Sequence, residues 1–124
     1  MRGLVLALGL VALTSGCDLF GPSGPGTLEA TVESNGQLGG LVLEFTGAGI
    51  DGFEGRGGIQ AYGTRVSASE GRHRLVLVAP GPEPLRFGIR LADLGADPPT
   101  VRVVRAVTLE NQVVLPTGVE IRLD

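Results

Sequence analysis

An all-β fold, an antiparallel two-sheet β-sandwich of about eight short strands, is what this sequence predicts, and three observations carry the prediction. Apolar side chains recur at every second residue in at least four separate segments, the signature of a strand with one face in a core. Gly, Pro and Asn clusters punctuate those segments at short intervals, as turns require. After the N-terminal apolar run, no stretch sustains the 3.6-residue stripe of an amphipathic helix.

The first seventeen residues, M-R-G-L-V-L-A-L-G-L-V-A-L-T-S-G-C, stand apart from that pattern. Arg2 supplies a positive start, Leu4 to Leu13 form an uncharged apolar run, and small residues lead to Gly16 and Cys17. This is the three-part plan of an export signal. The run is ten residues long, whereas a helix crossing a bilayer needs about 20, so cleavage rather than retention is expected. Residues 18 to 26, D-L-F-G-P-S-G-P-G, then read as a Gly/Pro tether. The sandwich domain is expected over residues 27 to 124.

Within it, Leu28, Ala30 and Val32 alternate with Glu29, Thr31 and Glu33, and Asn35-Gly36 follows as a hairpin turn signal. Leu41, Leu43 and Phe45 share a face of a strand over about 38 to 46. Weaker strands are expected at about 58 to 62 and 64 to 69. At 72 to 79, His73 lies on one face with Leu75, Leu77 and Ala79, while Val76 and Val78 lie on the other with Arg72 and Arg74. Apolar residues on both faces predict a central strand. Leu85, Phe87, Ile89 and Leu91 alternate cleanly with Arg86, Gly88 and Arg90, and Val119, Ile121 and Leu123 with Glu120, Arg122 and Asp124. Over 100 to 109 the alternation fails, because the parity of Val101 and Val103 would turn Arg105 inward; a bulge near Val103 and Val104 restores it.

Composition narrows the function classes. The chain has one His, one Tyr, one Cys and no Trp, and all ten basic residues are Arg. Removing residues 1 to 16 leaves 108 residues with nine Arg against thirteen acids, spread along the chain, so nucleic acid is a poor partner. A single cysteine builds no disulfide.

Candidate chemistry is sparse. Gly47, Gly49 and Gly52 match G-x-G-x-x-G, but F-E-G-R-G-G follows where a phosphate-binding helix would start, and a glycine turn is the reading kept. His73 has Ser67, Ser69 and Glu70 nearby in sequence, without a nucleophile elbow. Asp51 with Glu54, and Asp93 with Asp97, are loop carboxylates without the dense spacing of a calcium loop. Phe53 and Tyr62, in the Gly-rich stretch 47 to 63, are either a small binding loop or the cap of an open sandwich end. Arg72, Arg74, Arg86 and Arg90 are expected to meet Glu29, Glu33, Glu44 or Glu120 across strands. No catalytic residue, metal ligand or cofactor is expected.

Two family resemblances add to this reading. The ending L-T-S-G-C over Leu13 to Cys17 resembles the lipobox of bacterial lipoproteins. The resemblance implies cleavage between Gly16 and Cys17, a lipid anchor on Cys17 and a place in the cell envelope, membrane-anchored and extracytoplasmic, with the leaflet left open. Two or three acyl chains suffice for stable anchoring. The segments L-V-L-E-F-T and G-A-G-I-D-G-F, then R-L-V-L-V-A and L-R-F-G-I-R-L, over residues 38 to 91, resemble cohesin-like or immunoglobulin-like sandwich domains. That resemblance implies an extracytoplasmic sandwich and protein binding. The expected function is therefore a lipid-anchored envelope protein, not an enzyme, with a structural or protein-interaction role and an envelope protein as its candidate partner; the alternative is a small-ligand, glycan or calcium module using the 47 to 63 loop.

Overall fold

A computed structural model describes residues 23 to 124. The cleavage site at Gly16 and the lipidation site at Cys17 lie outside the described residues. Nine strands form two antiparallel sheets: β1 (Gly26–Ser34), β2 (Leu38–Thr46), β3 (Ile50–Gly55), β4 (Gln60–Ser67), β5 (Arg72–Val78), β6 (Arg86–Leu91), β7 (Thr100–Thr108), β8 (Val113–Val114) and β9 (Val119–Leu123). One sheet has four strands in the order β3-β6-β1-β9, the other five in the order β4-β5-β2-β7-β8. The expected two-sheet sandwich is thus what the chain forms, with the two-residue β8 making the ninth strand.

The alternating apolar faces of β2, β5 and β6 meet between the sheets. Phe45, Phe87, Leu41, Leu43, Leu75, Leu77 and Ile89 are all less than 2% exposed. Burying such a side chain contributes about 1.5–3 kcal/mol, which is why the period-two pattern dictates the fold. β5 lies between β4 and β2, as its two apolar faces predict. On β7 the expected bulge is present: Leu43 pairs with Val103 but Val42 pairs with Arg105, so Val104 is the extra residue, Arg105 turns out to solvent and Ala106 turns in.

Three local expectations are corrected. Asn35-Gly36 reverses the chain, but β1 pairs with β6 and β9 while β2 pairs with β5 and β7. The turn is an arch between sheets rather than a hairpin, because the inner faces of both strands are buried only if each enters a different sheet. The stretch 47 to 63 is not one loop: it holds β3 and the start of β4. The two weak strands expected at 58 to 62 and 64 to 69 are one strand, β4, and the chain crosses between sheets at residues 56 to 59 instead. Order also begins before residue 27. The Asp93 carboxylate accepts hydrogen bonds from the amides of Gly24 and Gly95, at 2.9 Å each, and Leu94 N–H donates to Gly24 O at 2.7 Å.

The outer face of the four-stranded sheet is clasped by arginines lying over glycines. Gly88 on β6 is the cross-strand neighbour of both Glu29 on β1 and Glu54 on β3. Arg56 lies across Gly88 and bonds both carboxylates, at 2.7 Å to Glu29 and 2.9 Å to Glu54. Arg90 reaches Glu54 at 3.2 Å and Arg122 reaches Glu33 at 2.8 Å. A methyl at position 88 would run into the Arg56 guanidinium and would stand 2.7 Å from Thr27 Cγ2. Gly88→Ala is therefore expected to destabilise by about 1–2 kcal/mol. In an Arg56→Ala background the effect should shrink, since only the Thr27 clash remains; urea midpoints of the four-member mutant cycle check this.

Candidate functional site

Two surfaces concentrate the chemistry of the described residues. The first is a cleft between the edge strands β3 and β4, one from each sheet. Phe53 projects inward from β3, its ring 5.2 Å from that of Phe45 and 6.2 Å, edge-on, from the His73 imidazole. It fits because β4 carries Gly63 opposite: a Cβ there would stand 2.6 Å from the Phe53 ring. Phe53 is thus half-buried in the sandwich edge, sealing it, and Tyr62 is on the other side of β4, 58% exposed, its hydroxyl donating to Gln60 Oε1 at 2.8 Å. The two aromatics do not share one loop.

Two adjoining cavities of about 470 and 340 Å³ open along this cleft, and Ile50, Asp51, Arg65 and His73 line both. His73, on the inner face of β5, is only 9% exposed. Burial, with the Arg65 charge added, holds its pKa below the ordinary imidazole value. No hydrogen bond to a described side chain satisfies its ring. Asp51 and Arg65 stand on the opposite lips. Each adjoins a bulge: Asp51 is the extra residue between Ile50 and Gly52 on β3, and the register of β4 shifts between Arg65 and Ser67. Bulges re-aim side chains and gather at sites, and this one turns Ile50, which shares the parity of the outer-face residues Gly52 and Glu54, into the core opposite Leu91.

Of the other carboxylates and serines singled out by their spacing, Ser69 and Glu70 also line the larger cavity, Glu70 held by Arg72 at 3.3 Å, whereas Glu54 and Asp93 are engaged elsewhere. Glu54 is on the outer sheet face with Arg56 and Arg90. Asp93 is engaged by the Gly24 and Gly95 amides, which lower its pKa. Ser67 and Ser69 lie 3.3 Å from each other, with the Glu70 amide donating to Ser67 Oγ, and none of these bonds involves His73. Gly47 and Gly49 belong to the β2–β3 turn that forms one wall of the cleft.

The second surface is the outer face of the five-stranded sheet. Cross-strand registry arranges it in rows. One row runs Gln60, Val78, Gly40, Val107, Val113, and the next runs Tyr62, Val76, Val42, Arg105. The following row is Thr64, Arg74, Glu44, Arg102, with Arg72 beyond it. Apart from Gln60 and Arg105 at their ends, the first two rows make an apolar band spanning the sheet, ending in Val113 at 68% exposure and extended by Leu115 at 75%. The remainder makes a basic flank: Glu44 holds Arg74 at 3.0 Å and Arg102 at 3.2 Å, and Arg72 beyond it holds Glu70 at 3.3 Å. The described residues as a whole carry nine Arg and twelve acids, so this face runs against the charge of the domain. Sequence reasoning placed Arg72 and Arg74 together but missed the band, because Tyr62, Val42, Val76, Val107 and Val113 belong to five strands and meet only through sheet order.

No protein-family model matches the chain, and neither does any curated protein or solved structure. Among the described residues no helix is long and apolar enough to cross a membrane.

The site's titrating groups give an acid response in two stages. His73 has a lowered pKa in the fold, so its neutral form contributes stability that is complete above the free imidazole value of 6.5 and declines as pH falls below it. Glu29, Glu44 and Glu54, hydrogen-bonded by arginines, are lowered too; their contribution is complete above 4.5 and is lost as pH falls further. Melting temperature against pH should therefore fall below about 6.5 and again below about 4.5. His73→Phe should abolish the upper stage alone.

Proposed function

We propose that this chain is a lipid-anchored protein of the bacterial envelope whose sandwich has no catalytic role and binds another envelope protein through the outer face of the five-stranded sheet. The observation that carries the interaction reading is the solvent-facing apolar band crossing all five strands, most exposed at Tyr62, Val78 and Val113. Isolated apolar residues on a surface are ordinary, but a contiguous band rimmed by charge is characteristic of interaction sites. A Tyr anchor with flanking arginines has the composition of an interface centre and its rim. The anchoring reading rests on the apolar run, the L-T-S-G-C ending and Cys17 as the sole cysteine.

Two measurements test it. Intact mass of the mature protein should correspond to a chain starting at Cys17 and carrying diacylglycerol; an unlipidated product, or one starting elsewhere, removes the anchor. Affinity capture from the native envelope should then return a stoichiometric protein with the wild type and lose it with Tyr62→Ser combined with Val113→Ser. Both positions are exposed, so the double variant should stay within about 1 kcal/mol of wild-type stability. A partner retained by the double variant would move the interface elsewhere, and a reproducible blank would remove it.

A further inference from the structure

We infer that the cleft between β3 and β4 is a binding site for a small zwitterion with an apolar side chain, of the α-amino acid class, its carboxylate set on Arg65 and its ammonium on Asp51. This is a second site, independent of the sheet-face reading. Three features of the cleft point to it together.

Most of the charges on the sheets are paired: Arg56, Arg74, Arg90, Arg102 and Arg122 all hold carboxylates. Arg65 and Asp51 are exceptions. They come from the two strands that bound the cleft and line the same two cavities with opposite charges, yet neither forms an ion pair among the described residues. A gap too wide for an ion pair, bounded by a cation on one lip and an anion on the other, suits a guest carrying both complements. A simple anion would be repelled by Asp51 and a simple cation by Arg65, while Glu70, which also lines the larger cavity, is held by Arg72 at 3.3 Å. The field between such lips is strengthened by the apolar walls behind them.

The floor of the cleft supplies the second feature. His73 is nine-tenths buried, is the only polar residue among the buried ones, and lines both cavities with its ring unbonded to any described side chain. The ring is not sealed off in the core: its open side is the cavity itself, where a guest can reach it. Neutral imidazole both donates and accepts, so it can bond the guest's carboxylate beside Arg65. The third feature is the wall: Ile50 and Phe53 line the inner side, where an apolar side chain would be sheltered while the charged groups stay at the lips. Asp51 from β3 and Arg65 from β4 line the same two cavities as these walls.

The test uses the untagged full chain in detergent. Because His73 is the only histidine, its imidazole Cε1–H gives a single assignable NMR signal. Titration with L-leucine should shift that signal saturably in the millimolar range. Acetate and methylammonium, each carrying one of the two charges, should bind at least about tenfold more weakly. Arg65→Gln and Asp51→Asn should each weaken L-leucine about tenfold or more, with the core methyl signals unchanged. Tyr62→Ser combined with Val113→Ser should leave the titration as it was, so failure here and failure of the sheet-face reading are separable. The proposal is overturned if L-leucine gives no saturable shift, if acetate binds as well as L-leucine, or if either lip variant binds like wild type.

Discussion

Phe45→Ala is expected to remove about 3–5 kcal/mol of stability, among the largest effects of any described side chain. Phe45 sits on β2, the middle strand of the five-stranded sheet, and is fully buried. Its ring meets two aromatics from the opposite sheet: Phe53 on β3 at 5.2 Å, tilted, and Phe87 on β6 at 6.0 Å, edge-on. It is therefore the contact through which the two layers hold each other, and truncation opens a cavity that rigid sheets on both sides cannot close. Domains of this size have about 5–15 kcal/mol in total, so the variant should be near the limit of folding. Urea unfolding checks it: the midpoint should drop sharply with an unchanged slope, since the surface exposed on unfolding is nearly the same. Tyr62→Ala, on the solvent face of β4, should move the midpoint little. A Phe45→Ala midpoint within about 1 kcal/mol of wild type would mean that the inter-sheet aromatic cluster is not what joins the layers.

The same residue shows why parts of the structure can be read from the sequence. Phe45 alternates with Val42 and Glu44 over a nine-residue strand, and burial of one strand face is a local property of the chain. β6 and β9 are legible for the same reason, and so is the bulge at Val104, because an arginine on the core parity is an internal contradiction that only a register change removes. Pairing is different. Asn35-Gly36 specifies a reversal, but whether the strands on each side lie in one sheet or two depends on which faces must be covered, much later in the chain, by β5 and β6. Glycine misleads in the other direction. In the stretch 47 to 63 it suggests loop, whereas Gly63 is a strand residue whose missing side chain is the space occupied by Phe53. The cleft is half legible: His73 is placed on the inner face of β5 by its parity with Leu75 and Leu77, but its meeting with Asp51 follows from sheet order.

Gly71→Ala is the second large effect, and three glycines separate its causes. Gly71 closes the β4–β5 turn with φ +63°, a left-handed conformation, and a Cβ there would stand 2.5 Å from Gly47 O. Left-handed backbone costs an L-residue about 1–2 kcal/mol, and forcing an atom against packed neighbours costs about 1–3 kcal/mol more. The second cost is not easily relaxed, because the obstacle is backbone: Gly47 N–H donates to Gly71 O at 3.0 Å, tying the β2–β3 turn to the β4–β5 turn. Gly24 shares the positive φ, at +80°, but has nothing within 4 Å of its Cβ position. Gly36 has open space and no such φ. Stability losses should therefore rank Gly36→Ala near zero, Gly24→Ala about 1 kcal/mol, and Gly71→Ala about 2–5 kcal/mol, read as urea midpoints at equal slope. Equal losses at Gly24 and Gly71 would show that only backbone conformation matters and that the two turns are not in contact. Because those turns form one wall of the cavity over His73, Gly71→Ala should also move the imidazole signal while Gly24→Ala leaves it in place. That pairing of readouts distinguishes a broken wall from a general loss of stability, which would leave the signal of the folded fraction where it is in the wild type.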